Sequence, residues 1–425
     1  MFKAAVIGAG STYTPELIEG IIERRGSLRF DSIALMDVDR NRLDVVGGLA
    51  RRQAEAGGLE CDVILTDDLD RALDGASFVF TQLRVGRMAA RVRDEKLPLK
   101  YGLLGQETTG AGGFLKALRT VPVIMDIAAR MERLATDGAW MINFTNPSGI
   151  IAEAVLNHTG VNMIGLCNCP VNMVKGVADA LGTNEFDYEY VGLNHLSWIT
   201  RVTLRGQREN LVSELAGHAG VAMKNIPGMD HDPALLCAVP YIPSPYLNYY
   251  YAREAQVQKC LAAEKTRGEI CMELEDDLLK QYADPSLKIK PPELALRGGA
   301  LYSTAAISAV ESIAGDKREL HVVAAKNNGA VPFLADDDVV EILCELGASG
   351  VVPRPVSIYN EYVAGLIQAV KAYEKLAVRA ALSGDRSAAL AALMAHPLIG
   401  DFGKAAPLLD EMLEANREFL PGFFS

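Results

Sequence analysis

Met1-Phe2-Lys3-Ala4-Ala5-Val6-Ile7-Gly8-Ala9-Gly10-Ser11-Thr12-Tyr13-Thr14-Pro15 opens the chain. Residues 3–7 form a short apolar run of the kind that makes a buried strand, and Gly8-Ala9-Gly10 supplies a tight turn after it. Thr14-Pro15 then starts a helix, because threonine can cap and proline suits the first helical position. A second strand spans residues 32–36 and ends in Asp37. Further strands are expected at 77–81, 140–145 and 163–166, with a helix between the last two that begins after Pro147. Strands alternating with helical patterns read as a parallel sheet flanked by helices.

The pattern predicts an α/β chain in two domains. Residues 1–166 form a Rossmann-like doubly wound sheet. Residues 167–425 form a second, mainly helical α+β domain, and the site lies between the two. Amphipathic helices are expected at 383–396 and 405–417, and the prolines of Pro240-Tyr241-Ile242-Pro243-Ser244-Pro245 mark a loop. No internal repeat or low-complexity linker interrupts the chain.

Composition narrows the function classes. The 425 residues are 49% hydrophobic and 23% charged, with a formal net charge of -12. That balance opposes nucleic acid as a partner, since a duplex-binding surface needs clustered lysine and arginine. It leaves room for an anionic small molecule held by a few local arginines. No apolar stretch approaches the roughly 18 residues of a membrane span, so no membrane contact is expected. The N-terminus has no basic region followed by a long apolar core, so no signal peptide is expected. Seven scattered cysteines, an odd number, suit reduced thiols in the cytoplasm.

Gly8-Ala9-Gly10-Ser11-Thr12-Tyr13 fits the start of a dinucleotide fingerprint without its third glycine. Gly8 permits the turn, and Gly10 lets a pyrophosphate approach the helix N-terminus. Ser11 and Thr12 can add hydroxyl donors. Asp37 is placed to accept from the ribose hydroxyls and to repel a 2′-phosphate, which favours NAD over NADP. A glycine turn in some other α/β protein is the alternative reading. Asn146, in Asn143-Phe144-Thr145-Asn146-Pro147-Ser148, follows another strand and suits a cofactor or sugar contact. Cys167, in Gly165-Leu166-Cys167-Asn168-Cys169-Pro170, ends a further one. Asn194-His195 follows; one thiolate and one imidazole are too few for a closed structural zinc site and suit an open one, but a buried structural role is the stronger reading for either residue alone. Cys169 reads as a buried apolar cysteine.

These segments resemble glycoside hydrolase family 4, whose members depend on NAD and a metal and stand outside the usual two-carboxylate mechanism. The likeness also rests on Arg84-Val85-Gly86, on 94–102, on Gly105-Gln106-Glu107-Thr108 and on Pro245-Tyr246-Leu247-Asn248-Tyr249-Tyr250. It implies that Cys167 and His195 bind a divalent metal, usually manganese. It makes Tyr246 the base at sugar C2, while Tyr241, Tyr249, Tyr250 and Tyr251 are left to packing or the rim. It places Arg91, Asn146, Asn168 and Arg267 on a 6-phosphorylated glycoside. Relatives that act on α-linked substrates carry aspartate after the metal cysteine. Asn168 resembles instead the subgroup acting on 6-phospho-β-glucosides, and cannot itself protonate a leaving group.

The implied reaction is an oxidation at C3, deprotonation at C2, elimination of the aglycone, water addition and re-reduction. A homo-oligomer, dimer or tetramer, is expected. Two other readings compete. A dehydrogenase of 2-hydroxy acids such as malate or lactate would use His195 as proton-transferring base and Arg91 as carboxylate clamp, leaving Cys167 without a role. A non-catalytic NAD sensor would leave Cys167, His195 and Tyr246 all without one.

Overall fold

A computed structural model of the chain describes residues 2–216, 231–298, 302–357 and 360–424. Six strands carry the first part: β1 (Phe2–Ile7), β2 (Phe30–Met36), β3 (Asp62–Thr66), β4 (Phe78–Thr81), β5 (Trp140–Asn143) and β6 (Asn162–Gly165). They pair in parallel in the order β3-β2-β1-β4-β5-β6, which is the doubly wound order of dinucleotide folds. Every residue of β4 and β5 is buried, as helices on both faces of a parallel sheet require. Those helices are α1 (Thr14–Glu23), α2 (Arg40–Ala56), α3 (Arg87–Lys96), α4 (Gly110–Leu134) and α5 (Ser148–His158).

Helix α1 differs from its expected start. Thr14 is its first residue rather than its cap. The Thr14 hydroxyl donates to the Ala9 carbonyl at 2.8 Å, so it ties the helix down to the glycine turn.

Beyond residue 166 the chain holds more strand than its pattern suggested. β7 (Phe186–Leu193), β8 (Leu196–Leu204), β9 (Ile242–Pro243), β10 (Glu319–Lys326), β11 (Val339–Gly347) and β12 (Gly350–Pro353) extend the same sheet. Strand β10 runs antiparallel to β6, with Ala324 opposite Gly165. β11, β7, β8 and β9 follow outward and β12 pairs with β11, giving 12 strands among the described residues. Apolar runs such as residues 339–344 are too short to separate a buried strand from a helix by periodicity. The proline-rich loop contributes only β9, on the edge of β8, where a missing backbone donor is tolerated. Around these strands lie α6 (Asn168–Leu181), α7 (Arg267–Tyr282), α8 (Glu361–Ser383), α9 (Arg386–Ala395) and α10 (Phe402–Ala415). The last two fall within or close to the helical stretches expected at 383–396 and 405–417. Among the described residues no helix is long and apolar enough to cross a membrane.

Helices α3 and α4 are joined by a fully buried ion pair. Arg119 and Asp94 both have 0% side-chain exposure, with NH1 to Oδ1 at 2.8 Å, and Arg119 Nε also donates to the Val85 carbonyl at 3.1 Å. Removing one partner of a buried pair leaves an uncompensated charge. Asp94→Ala should therefore destabilise the chain by about 3–5 kcal/mol in urea unfolding. A loss below about 1 kcal/mol, the size of an exposed pair, would show that Arg119 finds other partners.

Candidate active site

A cleft of about 920 Å³ follows the carboxyl ends of the parallel strands and reaches into the second half of the chain, the place where doubly wound sheets bind ligands. Its first wall is the glycine turn. Gly8 sits at φ +88°, and a Cβ there would lie 2.8 Å from the Leu83 Cα. A Cβ on Gly10 would lie 2.8 Å from Asp37 Oδ2. The Asp37 carboxylate accepts from the backbone N–H of Gly10 at 2.8 Å and of Asp39 at 2.9 Å, one bond to each oxygen. Both oxygens keep a lone pair for another donor. A bare glycine cradle beside an oriented carboxylate fits the pyrophosphate and ribose of a dinucleotide.

Ser11 lines this wall, whereas Thr12 does not. The Thr12 side chain is fully buried, and its hydroxyl is absent from the cleft lining; its carbonyl accepts from the Tyr282 hydroxyl at 2.9 Å. Two lining residues had gone unread. Val38 is 84% exposed beside Asp37, and Arg87 pairs with Asp39 at 3.0 Å. Val38 directly follows Asp37 in sequence, whereas nothing near Arg87 in sequence links it to that acid.

The opposite wall carries the sulfur and the imidazole. Cys167 follows β6 and precedes α6, where its sulfur accepts from the Cys169 N–H at 3.4 Å. His195 lies in the β7–β8 turn at φ +65°. Gly192 makes that turn possible, since a Cβ there would meet the Leu196 carbonyl oxygen at 2.1 Å. The fold thus brings Cys167 Sγ to 3.6 Å from His195 Nε2. Two tetrahedral ligands on one zinc-sized ion, at about 2.3 and 2.0 Å, sit about 3.5 Å apart. The pair therefore fits a shared cation. Among the described residues no third histidine, cysteine or carboxylate completes a cluster, which leaves the remaining positions to ligand oxygens. Burial drives the His195 imidazole down to about 3, so it is neutral and can offer a lone pair. Burial, with the Glu341 charge, pushes the Cys167 thiol well above its usual range.

Tyr246 stacks on His195 with ring centroids 3.8 Å apart and planes 15° from parallel. The serine-capped turn of residues 244–247 sets it there. Of the other tyrosines, Tyr249 lines the cleft and tilts against Tyr246. Tyr250 bonds Thr109, and Tyr251 accepts from the Trp198 indole. Tyr241 does not line the cleft. Asn146 and Asn168 line the same space, and the buried Asn146 Oδ1 has no hydrogen-bond partner among the described residues. Asn168 lies next to the cysteine, its Oδ1 4.0 Å from the sulfur.

A cationic corner lies beside this wall. Glu107 is held by Arg84, by Arg91 at 3.0 Å and by Lys116 at 2.8 Å. Burial alone would raise its carboxyl, yet the three cations hold it well below the usual range. Burial, with the Arg84 charge, brings the Lys116 ammonium down to about 7. Arg91 is also bonded to Glu95 at 2.8 Å, so its guanidinium is shared between two carboxylates and cannot serve a ligand alone. Glu95 in turn accepts from the Gly268 N–H at 2.6 Å. That bond draws the start of α7, and Arg267 with it, to the same corner. Sequence had suggested Arg91 and Arg267. The roles of Glu107 and Lys116 were invisible because nothing local announces a buried charge cluster.

Known proteins agree with this arrangement. Residues 3–183 match the model of the family 4 glycosyl hydrolases, and residues 190–399 match that of the family 4 C-terminal domain. A Bacillus subtilis (strain 168) protein named a probable 6-phospho-β-glucosidase is 41% identical, covering 100% of this chain and 98% of its own. The structure of the 6-phospho-β-glucosidase from Thermotoga maritima with manganese, NAD+ and glucose-6-phosphate superposes with a TM-score of 0.90 at 34% identity, over 99% of each chain. A malate dehydrogenase from Plasmodium falciparum shares the fold alone, at 11% identity and a TM-score of 0.52, over 90% of this chain and 99% of its own.

The contact between Gly10 and Asp37 can be tested directly. Gly10→Ala forces the Asp37 carboxylate to move. Losing its ribose bonds, about 1.4 kcal/mol or more, should weaken NADH binding at least tenfold in a fluorescence titration. Unchanged affinity would mean that Asp37 does not hold the dinucleotide.

Proposed function

The chain belongs to glycosyl hydrolase family 4, and from that premise we infer that it hydrolyses 6-phospho-β-glucosides with NAD and a divalent metal, manganese, as its cofactors. The observation that carries this reading is the stack of Tyr246 on His195, 3.6 Å from Cys167, across the cleft from the glycine cradle. When bound, NAD supplies a reversible hydride acceptor and the metal a Lewis acid, chemistry that acidifies the hydrogen next to the oxidised carbon.

The residues of the chain divide the remaining work. Gly8, Gly10, Ser11 and Asp37 hold the dinucleotide. Cys167 and His195 hold the metal and leave positions open for sugar oxygens. Asn146 and Asn168 bind sugar hydroxyls. Arg91 and Arg267 bind the 6-phosphate, with Glu107 and Glu95 fixing the Arg91 fork. Tyr246 takes the proton from C2. Burial holds its phenol well above the usual range, so the positive charge that its neighbours are suited to hold is what brings it into use. As the C2 hydrogen leaves, the C1–O bond breaks and the aglycone departs. Water then adds back and the hydride returns, so no net oxidation remains. Asn168 carries no transferable proton, so it is not the acid that protonates the leaving group.

The division at residue 166 separates, in this reading, a dinucleotide half from a metal, substrate and oligomerisation half. The likeness to malate dehydrogenase extends to the fold alone, and a 2-hydroxy-acid mechanism gives Cys167 nothing to do. A homo-oligomer acting in the cytoplasm completes the proposal; all seven cysteines are unpaired, as a reducing compartment allows.

Two experiments test it. Turnover of a nitrophenyl 6-phospho-β-glucoside in D₂O should place deuterium at C2 and none at C3. Tyr246→Phe should lower kcat by roughly 10²–10⁴-fold and suppress that exchange equally. A wild-type product without deuterium at C2 overturns the elimination. Separately, Arg267→Ala should raise KM for the phosphorylated glycoside by about ten- to hundredfold, the value of one charged hydrogen bond. Equal wild-type activity on plain and phosphorylated glucosides would refute the substrate class.

A further inference from the structure

Two side chains meet across the glycine turn, and the reaction above gives neither a task. Asp39 stands after β2 and Arg87 after β4, and β1 lies between those strands in the sheet. The two neighbours of a strand stand about 9.6 Å apart, so a bond joining their loops spans the carboxyl end of β1, where Gly8 and Gly10 lie. Arg87 Nη2 meets Asp39 Oδ2 at 3.0 Å. Both residues line the cleft together with Gly8, Gly10 and Ser11. The ion pair is thus a bar across the cradle suited to the dinucleotide.

Its two ends are built differently. Asp39 is the fixed post: its side chain is 15% exposed, and Oδ1 caps α2 by accepting from the Arg42 N–H at 3.2 Å. Arg87 is the arm, with a side chain 68% exposed. Its backbone lies at φ +55°, directly after Gly86 at φ +75°. A Cβ on Gly86 would meet Ala90 Cβ at 2.6 Å and Phe419 Cε2 at 3.2 Å, so close packing holds the bend from which the arm starts. Residues other than glycine rarely adopt positive φ. Such strain persists only where the surroundings impose it, and it gathers at ligand clamps and switches.

We propose that the Arg87–Asp39 pair is a latch over the dinucleotide that slows both its entry and its exit. The proposal rests on the reading of the glycine cradle as the NAD site. Both partners belong to the chain, so the bond opposes passage in either direction and leaves affinity nearly unchanged. Slow exit has a chemical use. The hydride taken from C3 must return to the same sugar, and a nucleotide that left in between would leave that sugar oxidised. An exposed pair is weak enough to open at each exchange.

The test is stopped-flow fluorescence of NADH binding to the full-length chain and of its release. Arg87→Gly removes the arm and places at φ +55° a residue that adopts it without strain. Asp39→Asn keeps an oxygen to cap α2 and removes the charge. Each should raise the association and dissociation rate constants together by about two- to fivefold, the range that an exposed ion pair supports. Kd should stay near wild type, and Tm of Arg87→Gly should be at or above it. Added salt should speed release from wild type more than from Arg87→Gly, since it screens an exposed pair. Wild-type rate constants in either variant overturn the latch. Faster release with slower association overturns it as well, because that marks Arg87 as an ordinary contact to the phosphates. Faster exchange with a lowered Tm in both variants marks a loosened fold instead. A wild-type chain that does not bind NADH fails at the earlier level, that of the dinucleotide site itself.

Discussion

The contact on which the rest of the site depends is the 3.6 Å approach of Cys167 Sγ to His195 Nε2. These residues come from opposite sides of a sheet junction. Cys167 stands just after β6, the last parallel strand, and His195 stands in the turn of an antiparallel hairpin. Between them the sheet inserts β10 and β11. The pairing of Ala324 with Gly165 and of Glu341 with Gly192 sets how far apart the two ligands fall. A slip of one residue in either register would reverse which face each side chain occupies. The proposed open metal site is therefore a property of the mixed sheet as much as of its two ligands.

An acidic chain that binds an anion must build its positive field locally. The formal net charge is -12, yet Arg84, Arg91, Lys116 and Arg267 all line one cleft. Burying such charges unpaired would cost several kcal/mol each. Glu107 and Glu95 offset that cost by pairing with them, and three cations against two carboxylates still leave the Arg84–Arg91–Lys116 cluster positive. The same pairing holds the guanidinium of Arg91 in one orientation before any ligand arrives, which lowers the ordering cost of binding.

Much of this was legible in sequence because the informative signals are local. The glycine turn, the strand ending in Asp37 and the Asn146-Pro147 turn each declare themselves within a few residues, and five of the six parallel strands followed, while β3 (Asp62–Thr66) went unread. Cys167 and His195 could be paired only through a family likeness, since nothing in their spacing says that they meet. The strands after residue 166 were lost because runs such as 339–344 satisfy a strand and a buried helix equally. Thr12 was misplaced by the same limit: a motif gives the order of residues along a turn, not which one the next helix covers. Glu107 lay within a family-like segment that gave it no role, and Lys116 and Glu341 had no signal at all. Each is an ordinary charged residue until long-range packing removes water from it.

Asn168 shows how one side chain can settle two requirements at once. Its Oδ1 lies 4.0 Å from the Cys167 sulfur. A carboxylate at that distance would oppose the thiolate by about 4 kcal/mol at an effective dielectric of 20. The sulfur already bears the burden of burial and of the Glu341 charge, and both raise its pKa. An uncharged neighbour spares it a third such load, so the ionised ligand depends less on the metal to exist. The same exchange removes a transferable proton from the position after the cysteine. On this argument the choice between asparagine and aspartate after the cysteine is a choice about thiolate stability as well as proton supply.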